Sequence, residues 1–464
     1  MSRTLEAADR TAGDTASIGY HMRQTLWITA PIAAALLSEI GMGLITTLML
    51  GGIDDRALAA GAFATNIVIT ALLVLQGALS GVSVLAADRL GAGRPDEVPA
   101  LYWSGVLLAA ALAVPLFVGL SLCGPVLRAM GQPAVLVGDV ERYLHVLRWA
   151  VPAGVVGIGT MRQFLPALGL QRVLLWVMPC GVVLHAGLNQ LFIHGGLGIP
   201  AMGLEGSALA SVVSLSSAAT AMLAFLHGRR FGRFVAPTRP RIAYLRRLVT
   251  IGVPVSGIVA VEAGLFLATG ILAGDLGPSV LAAHMIALSV ASVSFMVPLA
   301  FSQTANVRVA IACGAGDLAG ARRAGFCAIA AAAAFMACSA VVLCLVPQSI
   351  TRLYLGPITA GNLATAALTA KLLQVAGIFQ IFDGIQVTAS GALRGLQDVR
   401  VPMLLASAGY WGIGFSAGWF LAFRAGLGAV GLWFGLCAGL AVVAVALTAR
   451  FALRSGRHLS HGVI

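Results

Sequence analysis

The stretch AGIFQIFDGIQVTASGALRG, Ala376 to Gly395, places one carboxylate, Asp383, in a run that is nearly all apolar or small as far as Leu393. A carboxylate in hydrocarbon costs about 2.5–3.5 kcal/mol even on lenient insertion scales. The rest of the chain says what surrounds it. Of 464 residues, 59% are hydrophobic and only 10% are charged, with a mean hydropathy of +0.95. A soluble globular protein averages about 25% charged residues. This chain cannot coat its surface with charge, so its surface must face lipid. The 56 glycines agree, since glycine is commoner in transmembrane helices than in soluble ones.

The net charge of +12 is distributed as in a membrane protein, not as in a nucleic-acid binder. Arginines gather in short gaps between apolar runs, above all in HGRRFGRFVAPTRPRIAYLRR, His227 to Arg247, which reads as a cytoplasmic loop. The seven cysteines form no CxxC and lie almost all inside apolar runs, so they read as small buried hydrophobes. The polar, acid-bearing start, MSRTLEAADRTAGDTASIGYHMRQ, does not read as a cleavable signal peptide.

A helix that crosses the bilayer needs about 20 mostly apolar residues. About twelve such stretches can be cut out, beginning near Thr25, Leu58, Leu101, Val146, Val173, Leu204, Leu248, Leu281, Ala324, Ala366, Val401 and Leu427. Alternate gaps are the richer in arginine: Arg89 and Arg94, Arg172, the seven between Arg229 and Arg247, Arg322 and Arg323, Arg394 and Arg400. By the positive-inside rule those gaps, and both termini, face the cytoplasm.

The chain also repeats itself. LAAG at Leu58 resembles LAAH at Leu281, and GAG at Gly91 recurs at Gly314, both at an offset of 223 (281 − 58 and 314 − 91). Pro31 with Pro254, and Glu39 with Glu262, keep that offset. The expectation is an all-α integral membrane protein of two pseudo-symmetric six-helix bundles. Residues 1–24 form a cytoplasmic tail, 25–226 the first lobe, 227–247 a basic linker, 248–453 the second lobe and 454–464 a second tail. Six helices per repeat keep both repeats in one orientation, so their pseudo-twofold axis runs along the membrane normal.

Three acids stand well inside apolar stretches: Glu39, Glu262 and Asp383. Intramembrane acids are functional by default; the bland reading is a misjudged helix end or an interior acid satisfied by hydrogen bonds. Such an acid can hold a proton, or Na⁺ where oxygens from Gln380, Gln386, Thr388 or a freed carbonyl help. Pro31 and Pro254 each precede an acid by eight residues and can bend their helices. His185 and Asn189, one turn apart, either contact cargo or cation or tie helices together; His284 reads as a tie. GFSAG, Gly414 to Gly418, fits the serine-hydrolase pattern GxSxG, but in an apolar helix it reads as a packing face, so no enzyme is expected. The only lysine, Lys371, follows no phosphate loop, and no HExxH occurs; no cofactor or nucleotide is implied.

The stretches IGVPVSGIVAVEAGLF (Ile251 to Phe266), LAAHMIALSVASVSFMVPLAFSQTANVRV (Leu281 to Val309), IFQIFDGIQVTASGALRG (Ile378 to Gly395) and GIPAMGLEGSALAS (Gly198 to Ser211) resemble multidrug and toxic compound extrusion (MATE) transporters of the bacterial NorM-type branch. The resemblance covers roughly Thr25 to Leu453. It implies a V-shaped pair of lobes in the bacterial inner membrane that exports organic cations and amphipathic drugs in exchange for H⁺ or Na⁺. It places the coupling cation on Glu262 and Asp383, with Glu39, Thr46, His185, Asn189, Phe379, Gln380, His284 and Ser289 about the cavity. A monomer is expected. The branch's helix-1 acid, in a pattern like MGFVDTVMAG, is Thr46 here, within MGLITTLMLG; Glu39 lies on the same face and is a candidate substitute. Phe379 stands where the branch has Tyr, and His185 where it has Asn. Fewer hard oxygens favour H⁺ over Na⁺. A flippase for lipid-linked precursors, from a related superfamily, is the alternative reading; the interior acids favour cationic cargo instead.

Overall fold

The structure is a computed structural model that describes residues 17–228 and 231–460, with side chains as far as Gly456. Expectations that fall on residues 1–16 and 461–464, and on Arg229 and Arg230 of the linker, lie outside the described residues. The described chain is almost wholly helical: apart from one isolated bridge between Gly196 and Ile199 it contains no β pairing. Backbone polar groups in hydrocarbon must be satisfied within their own segment, which a helix alone does without a partner strand.

Among the described residues, ten helices are long and apolar enough to cross a membrane: α1 (Ile18–Gly51), α2 (Asp55–Gly91), α3 (Pro95–Ser121), α5 (Arg172–His194), α6 (Gly203–His227), α7 (Ile242–Asp275), α8 (Pro278–Gly314), α9 (Leu318–Leu345), α10 (Leu363–Gly395) and α12 (Gly428–Gly456). Between α3 and α5, Ala134–Leu147 and Pro152–Ala167 meet at a 48° bend and make an eleventh span, α4, if taken together. Residues 400–424 form one further unbroken run of α and π turns, α11, charged only at Arg400 and Arg424. The about twelve apolar stretches of the sequence thus reappear in order. The repeat does too. Gly93 and Gly316, 223 residues apart, both turn the chain after the second helix of their repeat with positive φ (69° and 75°), a conformation that favours glycine.

The chain divides into two compact units, but not at the basic linker. One unit holds residues 34–256; the other holds the chain up to Ala33 together with residues 257–464. The two units divide at Ala33/Ala34 in α1 and at Ser256/Gly257 in α7, whereas the sequence reading has the lobes begin at 25 and 248. Each of these helices changes unit just past its proline, Pro31 or Pro254.

Local chemistry explains both exchanges. The first half of α1 is fastened to α8: the Thr29 hydroxyl donates to Thr304 Oγ1 at 2.9 Å, and Arg308 donates to His21 O at 2.7 Å and to Thr25 Oγ1. The first half of α7 lies against α2 through glycine. A Cβ on Gly252 would stand 2.0 Å from Ala78 O, and one on Gly77 would stand 3.0 Å from the Ser256 backbone. Ser256 Oγ also donates to Val74 O at 2.8 Å. The linker returns onto the same unit, where Trp103 Nε1 donates to Val235 O and Ala236 O and Tyr244 donates to Glu97.

The core of the second unit is built on α10, which is buried over much of its surface and packs against α8, α9 and α12. α11 reaches α12 through Gly414 and Gly418 facing Gly439 and Gly435; the Gly435 Cβ would fall 2.2 Å from Gly418 Cα. GFSAG is accordingly a packing face. Ser416 donates to Trp411 O within its own helix. Gly439→Leu is predicted to lower the detergent-solubilised melting temperature, through an overpacking cost of about 1–3 kcal/mol. Gly412→Leu, with nothing within 4 Å of its would-be Cβ, is predicted to leave it unchanged. Equal melting temperatures for the two variants contradict the packing described.

Candidate functional site: two polar centres in apolar bundles

Each unit buries one cluster of polar side chains. In the second unit, α10 presents Asp383, which is 5% exposed and whose Oδ1 has no hydrogen-bond partner. Glu262 on α7 is partly buried and lies within electrostatic reach of Asp383. Tyr410 of α11, a fully buried side chain whose hydroxyl also has no partner, lies within electrostatic reach of both carboxyls.

Gln380 and Gln386, three residues to either side of Asp383, share its helix face. Gln380 Oε1 accepts from Ser339 Oγ at 2.9 Å, whereas Gln380 Nε2 and Gln386 Oε1 are left over. An unmet buried polar group costs about 1–3 kcal/mol, so several in one place mark a spot suited to a proton, a cation or water. Tyr410 was missed in the sequence because an aromatic in an apolar helix normally reads as core.

The other expected residues of this unit take different parts. Phe379 is packed edge-on against Phe266 and Trp433 and belongs to the apolar core. His284 Nδ1 accepts from Trp433 Nε1 at 3.2 Å, which ties α8 to α12. Ser289 meets the Tyr354 hydroxyl at 3.2 Å, on the short helix Pro347–Leu355. Among the hydrogen bonds described, none joins these three to Asp383 or Glu262.

In the first unit, Thr46 of α1 and His185 and Asn189 of α5 come together with Ser207 and Ser214 of α6, all buried. Thr46 Oγ1 is 2.9 Å and Asn189 Nδ2 is 3.0 Å from His185 Nε2. Asn189 Nδ2 also donates to His185 O, and Ser207 Oγ donates to Asn189 Oδ1 at 2.7 Å. His185 Nδ1 is 3.3 Å from Ser214 Oγ, which donates to Ala210 O. In one assignment Nε2 accepts, its lone pair shared between Thr46 and Asn189, and Nδ1–H donates to Ser214. A second proton on the ring would set Nε2–H against the Asn189 amide hydrogens. The amide would then have to flip, which would pass the change on to Ser207. No carboxylate takes part in this network.

Glu39 is engaged elsewhere. Its Oε2 accepts from Arg162 Nη1 of α4 at 2.6 Å. Arg162 is only 3% exposed, while the Glu39 side chain is 38% exposed. The reading that interior charge is acidic is thereby corrected, because Arg162 is a buried cation. Its signal was present, an arginine ten residues before the Arg172 gap, but only acids were weighed inside the spans. Between α2 and α3 the same unit has an open, mainly apolar hollow of about 630 Å³, lined by Phe63, Asn66, Thr70, Leu112 and Pro115.

A family profile described as MatE matches residues 31–191 and again 254–420. The two matches begin 223 residues apart (254 − 31), the offset of the internal repeat. The chain belongs to the MatE family. It is 48% identical over 440 residues to the probable multidrug resistance protein NorM of Burkholderia mallei (strain ATCC 23344), covering 95% of this chain and 94% of that one. It is also 48% identical over 447 residues to the multidrug resistance protein NorM of Burkholderia vietnamiensis, covering 96% and 97%. Its fold is that of a multidrug resistance MATE family transporter of the MOP superfamily solved in an outward-facing conformation, with a TM-score of 0.86 at 18% identity over 97% of this chain and 99% of the other. The eukaryotic MATE transporter AtDTX14 superposes with a TM-score of 0.83 at 19% identity, over 95% and 98%. The protein is a multi-pass multidrug efflux transporter and not an enzyme.

Glu39→Ala leaves the Arg162 guanidinium buried without a carboxylate, which is predicted to cost about 3 kcal/mol. The double variant Glu39→Ala/Arg162→Met is predicted to recover most of that loss in chemical or thermal unfolding. A double variant no more stable than the single one contradicts the pairing.

Proposed function

We propose that this transporter exports organic cations and amphipathic drugs in exchange for H⁺, and that Glu262 and Asp383 carry the exchanged charge. One observation carries the reading: Asp383 is buried in hydrocarbon within reach of a second acid, with one oxygen unpartnered and, among the described residues, no arginine or lysine paired with it. Two carboxyls so placed are compatible with burial when a proton or a bound cation neutralises them. Ionised, they attract a cationic compound; protonated, they release it. Loading from one side and unloading to the other makes the exchange obligatory.

The choice of H⁺ over Na⁺ is supported by the first unit. Hard cations take several oxygens, usually with carboxylate among them. The Thr46–His185–Asn189 cluster offers no carboxylate and centres on an imidazole, a group suited to a proton. Na⁺ on Glu262, Asp383, Gln386 and Tyr410 is the second reading, favoured by the unpartnered oxygens there. The hollow at Phe63 and Asn66 has the size of a drug-sized site and suits apolar cargo. Lipid-linked cargo is disfavoured, because Arg162 is already bonded to Glu39.

Alternating access in this reading is a rocking of the two units, with α1 and α7 bending where they change unit beside Pro31 and Pro254. A proline removes one helix hydrogen bond, so the bend is concentrated there. The arginine distribution puts both termini at the cytoplasmic face of the bacterial inner membrane, and the protein acts as a monomer. Glu262→Gln and Asp383→Asn are each predicted to lower extrusion of a cationic dye from cells at least about tenfold with membrane abundance unchanged. Unchanged extrusion by both variants overturns the assigned site.

A further inference from the structure

A second cavity lies at the arginine-rich end of the second unit, away from the acids. It measures about 510 Å³ and is lined by Ile18 and Met22 of α1 and by Arg322, Arg323, Phe326 and Ala330 of α9. Its chemistry is divided. Both arginines are exposed, and among the described residues no carboxylate pairs with either. The nearest acid along the chain, Asp317, instead accepts from Gly320 N at 2.7 Å and caps α9.

Beyond the arginines the wall is apolar. Met22 packs against the Phe301, Ala331 and Ala332 cluster, and Phe326 meets Phe451 edge-on with Arg322 5.8 Å above its own ring. From Ala319 to Ala330 the helical wall runs about 16 Å at 1.5 Å per residue. That is the reach of an acyl chain, starting from a pair of cations.

We propose that this cavity binds an anionic phospholipid, its phosphate between Arg322 and Arg323 and one acyl chain along Met22, Phe326 and Ala330. Basic pockets between helices at the cytoplasmic membrane surface suit such head groups. The other occupant within reach is the chain before Ile18. Residues 1–16, MSRTLEAADRTAGDTA, are polar or small apart from Met1 and Leu5 and contain no apolar run to fill the wall, which favours lipid. The lipid would bridge α1 and α9 within one unit, bracing the half-helix that precedes the Pro31 junction.

The test is native mass spectrometry of the full chain in detergent with dioleoylphosphatidylglycerol, dioleoylphosphatidylcholine and inorganic phosphate as separate probes. Phosphatidylglycerol is expected to bind saturably and the other two weakly. Arg322→Gln/Arg323→Gln is expected to weaken phosphatidylglycerol at least tenfold, and Arg246→Gln/Arg247→Gln, in the linker, to leave it unchanged. Ala330→Trp keeps both arginines and fills the apolar wall, so it too is expected to abolish binding. Equal binding of the two lipids, binding of phosphate as strong as that of phosphatidylglycerol, or full binding by the Arg322/Arg323 and Ala330 variants overturns the proposal. Absence of phosphatidylglycerol binding to the unaltered chain overturns it as well.

Discussion

A charged side chain among hydrocarbon needs an opposite charge, a set of hydrogen bonds or a loss of charge, and this requirement organises the protein. Most interior charges meet it within their own unit. Glu39 has Arg162; Asp139 has Arg56 and Arg142; Arg308 has the carbonyl of His21 and the hydroxyl of Thr25. Asp383 does not: it lies within electrostatic reach of another acid, Glu262, and one of its oxygens has no partner. In pseudo-symmetric terms the contrast is sharper. Glu39 and Glu262 occupy matching places in the two repeats, yet one is bonded to an arginine from the fourth helix of its repeat and the other lies near an aspartate from the fourth helix of its own. In one repeat the acid is paired with a tethered cation; in the other, two acids lie near one another.

The same requirement explains why much of the fold was readable in the residues. Spans show as apolar runs because each must cross about 30 Å of hydrocarbon, and the repeat shows because duplicated glycines and prolines keep their spacing. Glu39, Glu262 and Asp383 stood out together by cost, which does not separate the arginine-paired Glu39 from the other two. What stayed hidden depends on contacts between distant segments. The Thr29–Thr304 bond and the Gly252–Ala78 approach place the unit boundaries part-way along α1 and α7, and neither leaves a periodic trace. Tyr410 was hidden as one more aromatic, and Arg162 because its partner is 123 residues away. Thr46, His185 and Asn189 were named separately; their junction through one imidazole nitrogen needed coordinates.

Helices that change unit part-way along their length also connect packing to movement. α1 begins on the unit that holds the acids and ends in the unit that holds His185; α7 does the reverse. Each does so beside a proline, where one helix hydrogen bond is already missing. The glycine contacts of α11 with α12, by contrast, lie wholly inside the second unit.

The central claim is that a proton and a cationic compound exchange at the same pair of acids. It is tested most directly by adding a cationic substrate to the purified protein in weakly buffered detergent solution and recording the protons released. The account predicts release on binding that disappears in Asp383→Asn. Substrate binding without proton release, or equal release from Asp383→Asn, would contradict it.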